Sequence, residues 1–185
     1  MGGVTTLPSG LPPLAAEDHV CEGCGLAYAD LTIADAVAEI RELPDAVRAA
    51  VNGVPAELRR LRPVPEVWSV TEYACHVRDV FVGFTIRLRR ARTEDEPVVD
   101  PMFGDLRAVR FRYADADLGA VLDEIGRAAA GFRDEIADTR PQEWTRTIRR
   151  LPGEVRTAAW IVRQATHEGR HHVRDIAHVG RRLKR

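Results

Sequence analysis

Apolar positions recur at helical spacing in four long stretches of the chain. Between Leu31 and Val51, the residues Ile33, Val37, Ile40, Val47 and Val51 suit one side of a helix with about 3.6 residues per turn. Thr32 is placed to cap its start and Asn52-Gly53 to end it. Pro44 removes a backbone donor in mid-helix and predicts a kink or a break into two pieces. A second helix is expected from about Val70 to Arg90, with Tyr73, Val77, Val80, Phe84 and Leu88 on its apolar side. Ser69 and Glu72 have the spacing of a capping box at its start. A third, from Asp117 to Ala137, turns Leu118, Val121, Leu122, Ile125, Ala129, Phe132 and Ile136 inward. A fourth runs from about Ala158 to Arg182, with Thr157 as its cap.

The intervening stretches lack such a period. Pro97, Pro101 and Gly104 make residues 93–116 read as a long irregular crossover. Within it, Val109–Tyr113 alternates like a strand but has no second strand to pair with, so extended loop is expected. Residues 138–156 read as another loop. Residues 1–30 are rich in Gly and Pro and predict an irregular arm, frayed at its start and laid on the main domain. The expected fold class is therefore all-α. Residues 31–185 form a four-helix bundle with long crossover connections, and the N-terminal arm of residues 1–30 carries Cys21-x-x-Cys24.

Composition narrows the function classes. The 185 residues hold 27 basic and 28 acidic side chains, a formal charge of -1 that advertises no specific nucleic-acid partner. The basic run Arg181-Arg182-Leu183-Lys184-Arg185 is a short solvated tail, without a recognition-helix signal beside it. No stretch is apolar for long enough to span a membrane, and the first residues lack the basic and apolar regions of a secretory signal. A cytoplasmic protein with reduced cysteines is expected. Oligomeric state is left open, an exposed apolar helix side allowing a homodimer.

The candidate chemistry lies in the histidines. Four of the six fall between His167 and His178 on the last expected helix. His167 and His171 are one turn apart on one face, close enough to share a metal ion through neutral ring nitrogens. His76, on the second helix, supplies a third imidazole, since bundles build metal centres from facing helices. Three histidines buried without a ligand would each need a hydrogen-bond partner, whereas one ion satisfies all of them. Asp175 and Asp79 have the spacing to orient a ligand imidazole. Glu168 points elsewhere on its helix, and His172 is expected to point away from the pair. Arg78, Arg170 and Arg174 are candidates to receive a substrate carboxylate, and Cys75 is expected to be a small buried residue.

Trp68-Ser69-Val70-x-Glu72-x-x-x-His76-Val77-x-Asp79, joined to His167-Glu168-x-x-His171-His172-x-x-Asp175-Ile176, resembles the DinB/YfiT-like superfamily over roughly residues 31–180. This group includes the N-terminal domain of mycothiol-dependent maleylpyruvate isomerases. The resemblance implies a four-helix bundle whose metal is held by three histidines, here His76, His167 and His171. It also implies a divalent ion (zinc, nickel or iron) and chemistry with a low-molecular-weight thiol such as mycothiol. The expected function is a divalent-metal-dependent enzyme acting on a small-molecule substrate, either a thiol S-transferase or a hydrolase, with catalytic residues unassigned. The alternative is a non-catalytic, metal-stabilised binding or stress-response protein. Cys21-x-x-Cys24-Gly25 is read as reduced thiols, as half of a small metal site with His19 and Cys75 as further ligands, or as a redox pair.

Overall fold

The four long helices start where their caps place them. In the computed structural model, which describes residues 12–184, α1 spans Ile33–Asn52 and α2 spans Val70–Thr93. The short α3 covers Gly104–Arg110, and α4 and α5 cover Leu118–Ala137 and Ala158–Leu183. The Thr32 side chain accepts from Asp35 N–H, and Thr157 accepts from Trp160 N–H. At α2, Ser69 and Glu72 close both halves of the capping box. The frayed beginning expected for the arm lies outside the described residues.

Pro44 does not break α1 in two. The missing donor costs one helical bond, while Ile40, Leu43, Val47 and Val51 on the same face are buried in the core. Packing prevails over the local penalty.

The core lies between α1, α2, α4 and α5. Helix α2 packs against α4 and α5, and α1 against α5 and α4. Helices α1 and α2, consecutive in sequence, therefore stand diagonally across the bundle, as do α4 and α5. The long connections make that order possible. Phe81 and Leu88 of α2 meet Ile125 and Phe132 of α4 and Trp160, Ile161 and Ile176 of α5 in one continuous apolar cluster.

The connections hold more regular structure than their sequence shows. Residues 104–110, expected as irregular, form α3, followed by a 3-10 turn at Tyr113–Asp115. A seven-residue helix is too short to reveal a period and is stabilised by tertiary contacts. Ala108 and Tyr113 are buried, whereas Val109 and Phe111 face solvent, so the apparent strand alternation reflects no sheet. In the loop over residues 138–156, β1 (Thr147–Arg149) and β2 (Val155–Thr157) pair antiparallel, with Thr147 opposite Thr157. Gly153, at φ +82°, occupies a turn conformation that disfavours other residues.

Helix α5 lies closest to its neighbours at its glycines. A Cβ on Gly180 would meet Val54 Cγ2 at 2.4 Å, and Val54 is itself buried. Helix propensity alone would make Gly180→Ala stabilising by about 1 kcal/mol. Overpacking against a stiff β-branched side chain costs about 1–3 kcal/mol and should prevail. A net loss of about 1 kcal/mol is expected in chemical denaturation, with the midpoint moving to lower denaturant.

Candidate metal centres

Metal-ligating side chains converge at two places among the described residues, both on α5. The pair Glu168 and His172 faces α2, while the pair His167 and His171 faces the N-terminal arm. Each pair is one helical turn apart, and the two are offset by about 100° around the helix.

At the first place the donor atoms of His76, Glu168 and His172 lie within 4.8 Å of one another. Glu168 Oε2 is 3.1 Å from His172 Nε2 and 3.7 Å from His76 Nε2. His172 Nδ1 is 2.8 Å from Asp175 Oδ2, so a second carboxylate sets the orientation of the ring. Burial alone would raise the Glu168 pKa. The hydrogen bond from His172, with the nearby His76 ring, instead holds it well below the usual carboxylate range. Burial would likewise depress His172, but its bonds to Asp175 and Glu168 and their negative charges carry it up to about 9. Without an ion, Glu168 and His172 thus form an ion pair. His76 is less well served: its Nδ1 is buried without a partner. Its ring packs 5.0 Å from Trp68, whose Nε1 donates to Asp105 of α3 at 3.0 Å. Two imidazoles and a carboxylate, one ring unsatisfied by protein, are a fitting donor set for a divalent ion with an open position.

His76 and Glu168 of this group form part of the wall of a cavity of about 550 Å³, a volume suited to a small organic ligand. Trp68, Phe84 and Met102 provide apolar lining, and Gln164, Arg87 and Arg150 add polar groups. Arg87 is 8% exposed. It donates to the carbonyl oxygen of Asp100 at 2.5 Å and stacks over Phe84. Burial, reinforced by the charge of Arg150, lowers its pKa to about 10.

At the second place, Cys21, Cys24, His167 and His171 bring four donor atoms within 4.8 Å of one another. Both cysteines are buried and free. Burial, opposed by a backbone hydrogen bond and reinforced by Cys21, raises the Cys24 thiol pKa. His167 is pushed down to about 4, chiefly by burial.

The three histidines expected as one ligand set are therefore not drawn together. His76 is grouped with Glu168 and His172, while His167 and His171 are grouped with the two cysteines. His172 and Glu168 point away from the pair of His167 and His171, but toward α2, where they join His76 rather than solvent. Their shared i,i+4 spacing was as visible in sequence as that of His167 and His171. Asp175 bonds His172 rather than His171, which it approaches only to 3.7 Å. Asp79 does not orient His76; Arg78, Arg107 and Tyr113 occupy its oxygens. Arg170 is paired with Glu39, Arg78 with Asp79 and Glu124, and Arg174 is exposed. The buried arginine in the pocket, Arg87, carries no motif and was found only through the fold. Cys75 is fully buried on α2, and His19 packs its ring on Tyr28 and His167. Neither joins the donor group at Cys21 and Cys24.

Residues 27–176 match the family model of the DinB superfamily. A candidate metal-dependent hydrolase of Geobacillus thermodenitrificans (strain NG80-2) is 37% identical over 65 residues, 35% of this chain and 36% of that protein. The match thus spans about a third of that curated relative. YfiT from Bacillus subtilis is described as a probable metal-dependent hydrolase with an unusual four-helix bundle topology. It superposes with a TM-score of 0.75 at 16% identity, over 82% of this chain and 87% of that one. The mycothiol-dependent maleylpyruvate isomerase superposes with a TM-score of 0.65 at 14% identity. That match covers 80% of this chain and 62% of the isomerase, less than two thirds of it. At these identities the structural likeness is one of fold. No helix among the described residues is long and apolar enough to cross a membrane.

Proposed function

The chain belongs to the DinB superfamily, and from that premise we propose that it is a divalent-metal-dependent enzyme acting on a small molecule with an acidic group. The observation that carries this reading is the convergence of His76, Glu168 and His172, the first two of which line the cavity. A bound divalent ion would supply Lewis acidity, lowering the pKa of a water or thiol at its open position. Zinc, nickel and iron all suit the donor set.

The chain's own residues define what can bind beside that position. Arg87 presents a buried cation whose hydrogen-bond partner is a neutral carbonyl, so a carboxylate or phosphate group supplies the missing charge. Phe84, Trp68 and Met102 hold the apolar part of the substrate and exclude water. Gln164 donates to Glu168 Oε1 at 2.6 Å and Asp175 fixes His172, so both groups stay oriented during binding. Hydrolysis fits the description of two similar proteins as metal-dependent hydrolases. Transfer involving a low-molecular-weight thiol such as mycothiol is the second reading, supported by likeness to the isomerase fold.

The test is a substrate screen of metal-loaded and chelated protein, using acidic esters and amides and, separately, mycothiol with electrophiles. Turnover should require metal, and Arg87→Ala should raise KM at least about tenfold for acidic substrates. Turnover untouched by chelation would refute the reading. A fully metal-loaded protein inert in both screens would favour the non-catalytic binding role.

A further inference from the structure

We infer that Cys21, Cys24, His167 and His171 form a second, closed metal site of the structural zinc type, which fastens the N-terminal arm to α5. The ligand spacing is Cys-x-x-Cys with His-x-x-x-His, and two thiolates neutralise the charge of a divalent ion. Four protein donors leave no position for substrate, in contrast to the three donors at the cavity.

The arm is shaped around this cluster. Cys21 N–H donates to the Leu26 carbonyl at 2.9 Å, Gly25 N–H to the Cys21 carbonyl at 2.7 Å, and Tyr28 N–H to the His19 carbonyl at 2.9 Å. With the bridge between Val20 and Ala27, these bonds fold residues 19–28 into a tight hairpin. Gly25 takes φ +74° within that turn. Gly23 permits the closest approach, since a Cβ there would lie 2.7 Å from His171 Cε1. Cys21 Sγ is 3.4 Å from His171 Nδ1. Ordinary Zn–S and Zn–N bonds at a tetrahedral angle would separate those atoms by about 3.5 Å.

Hydrogen bonding also fixes the state of His167. Gln164 Nε2 faces the acceptor-only carboxylate of Glu168, which directs Gln164 Oε1 to Tyr28. The single hydroxyl hydrogen of Tyr28 goes to that oxygen at 2.6 Å, so Tyr28 accepts from His167 Nδ1–H at 2.9 Å. His167 Nε2 is left with a bare lone pair, buried and without a protein partner. That is the form of imidazole a metal requires, oriented by a neighbour at its other nitrogen. The same chain of bonds ends on Glu168, so the arm anchor and the cavity site share one hydrogen-bond network.

The test uses the full chain. In zinc-loaded, unmutated protein, Cys21 and Cys24 should be alkylated at least about tenfold more slowly than after chelation, as followed by peptide mass spectrometry. Cobalt-loaded protein should show sulfur-to-cobalt charge-transfer absorption. The Cys21→Ser, Cys24→Ser variant should lose that absorption and about one metal equivalent, yet retain the ion at His76, Glu168 and His172. Equal alkylation rates with and without zinc, a Cys21–Cys24 disulfide in metal-loaded protein, or a cobalt spectrum lacking the sulfur band would each overturn the proposal. The alkylation comparison needs no variant to fold. None of these failures touches the cavity site, which is read separately through His76→Ala.

Discussion

Glu168→Gln should strip the cavity ion from the protein while leaving the helical bundle folded. The substitution keeps the size of the side chain and its hydrogen bond to Gln164 can be re-formed, but it removes the single negative charge in the donor group. It also leaves His172, whose high pKa rests on Asp175 and Glu168, with one carboxylate instead of two. Loss of an outer carboxylate typically costs about 10–100-fold in metal affinity, the effect expected for Asp175→Asn. Loss of Glu168 itself should exceed about 100-fold. Competition titration with a chromogenic chelator separates the two variants. Matching affinities for wild type and Glu168→Gln would remove the carboxylate from the ligand set.

Asp79→Ala should be the most destabilising single change considered. Asp79 is buried on α2, and its carboxylate accepts from Arg78 Nε at 2.8 Å, from Arg107 Nε at 2.9 Å and from the Tyr113 hydroxyl. Removing it leaves the buried Tyr113 hydroxyl and the Arg107 guanidinium without their carboxylate at the junction of α2 with α3, while Arg78 keeps Glu124. Breaking a buried ion pair costs about 3–5 kcal/mol, and the partial exposure of Arg78 and Arg107 puts this one at the lower end, about 3 kcal/mol or roughly 6–12 °C in Tm for a domain of this size. Because α3 begins at Gly104 and contributes Gly104, Asp105 and Leu106 to the cavity wall, the pocket should loosen as well. Arg107→Ala, at a partly exposed side chain, should cost less.

The pH dependence follows with a definite sign. Burial raises the Asp79 pKa, but bonds from Tyr113, Arg107 and Arg78 outweigh it and hold the folded value below the ordinary one. Its contribution is therefore complete above the unfolded value of about 3.9 and is lost as pH falls through the lower folded value. In Asp79→Ala this part of the acid sensitivity should disappear, as measured by denaturation at a series of pH values.

The bundle was legible in the sequence because its helices are long and capped. Twenty residues or more, with Ile40 and Val47 or Ile125 and Phe132 repeating on one side, leave little room for another reading. The seven-residue α3 and the three-residue strands have no comparable signature, because they are held by Tyr113, Ala108 and Ile148 reaching the core. The site was legible as chemistry but not as geometry. His76 and the crowded segment His167–His172 stand out in the sequence. However, Glu168 with His172 has the same spacing as His167 with His171, and only the rotation of α5 decides which pair meets α2. That rotation follows from Trp160, Ile161, Ala165 and Ile176 entering the core, and from Gly169 resting on Leu43 of α1. The remaining pair is then turned to the arm, whose contact with α5 no helical period could announce.

X-ray diffraction at the absorption edge of the bound metal tests the central claim most directly. The account predicts an anomalous peak bonded to His76, Glu168 and His172 at about 2.0–2.2 Å, with at least one coordination position facing the cavity. A peak held jointly by His76, His167 and His171, or a metal-loaded protein with no peak beside His76, would contradict it.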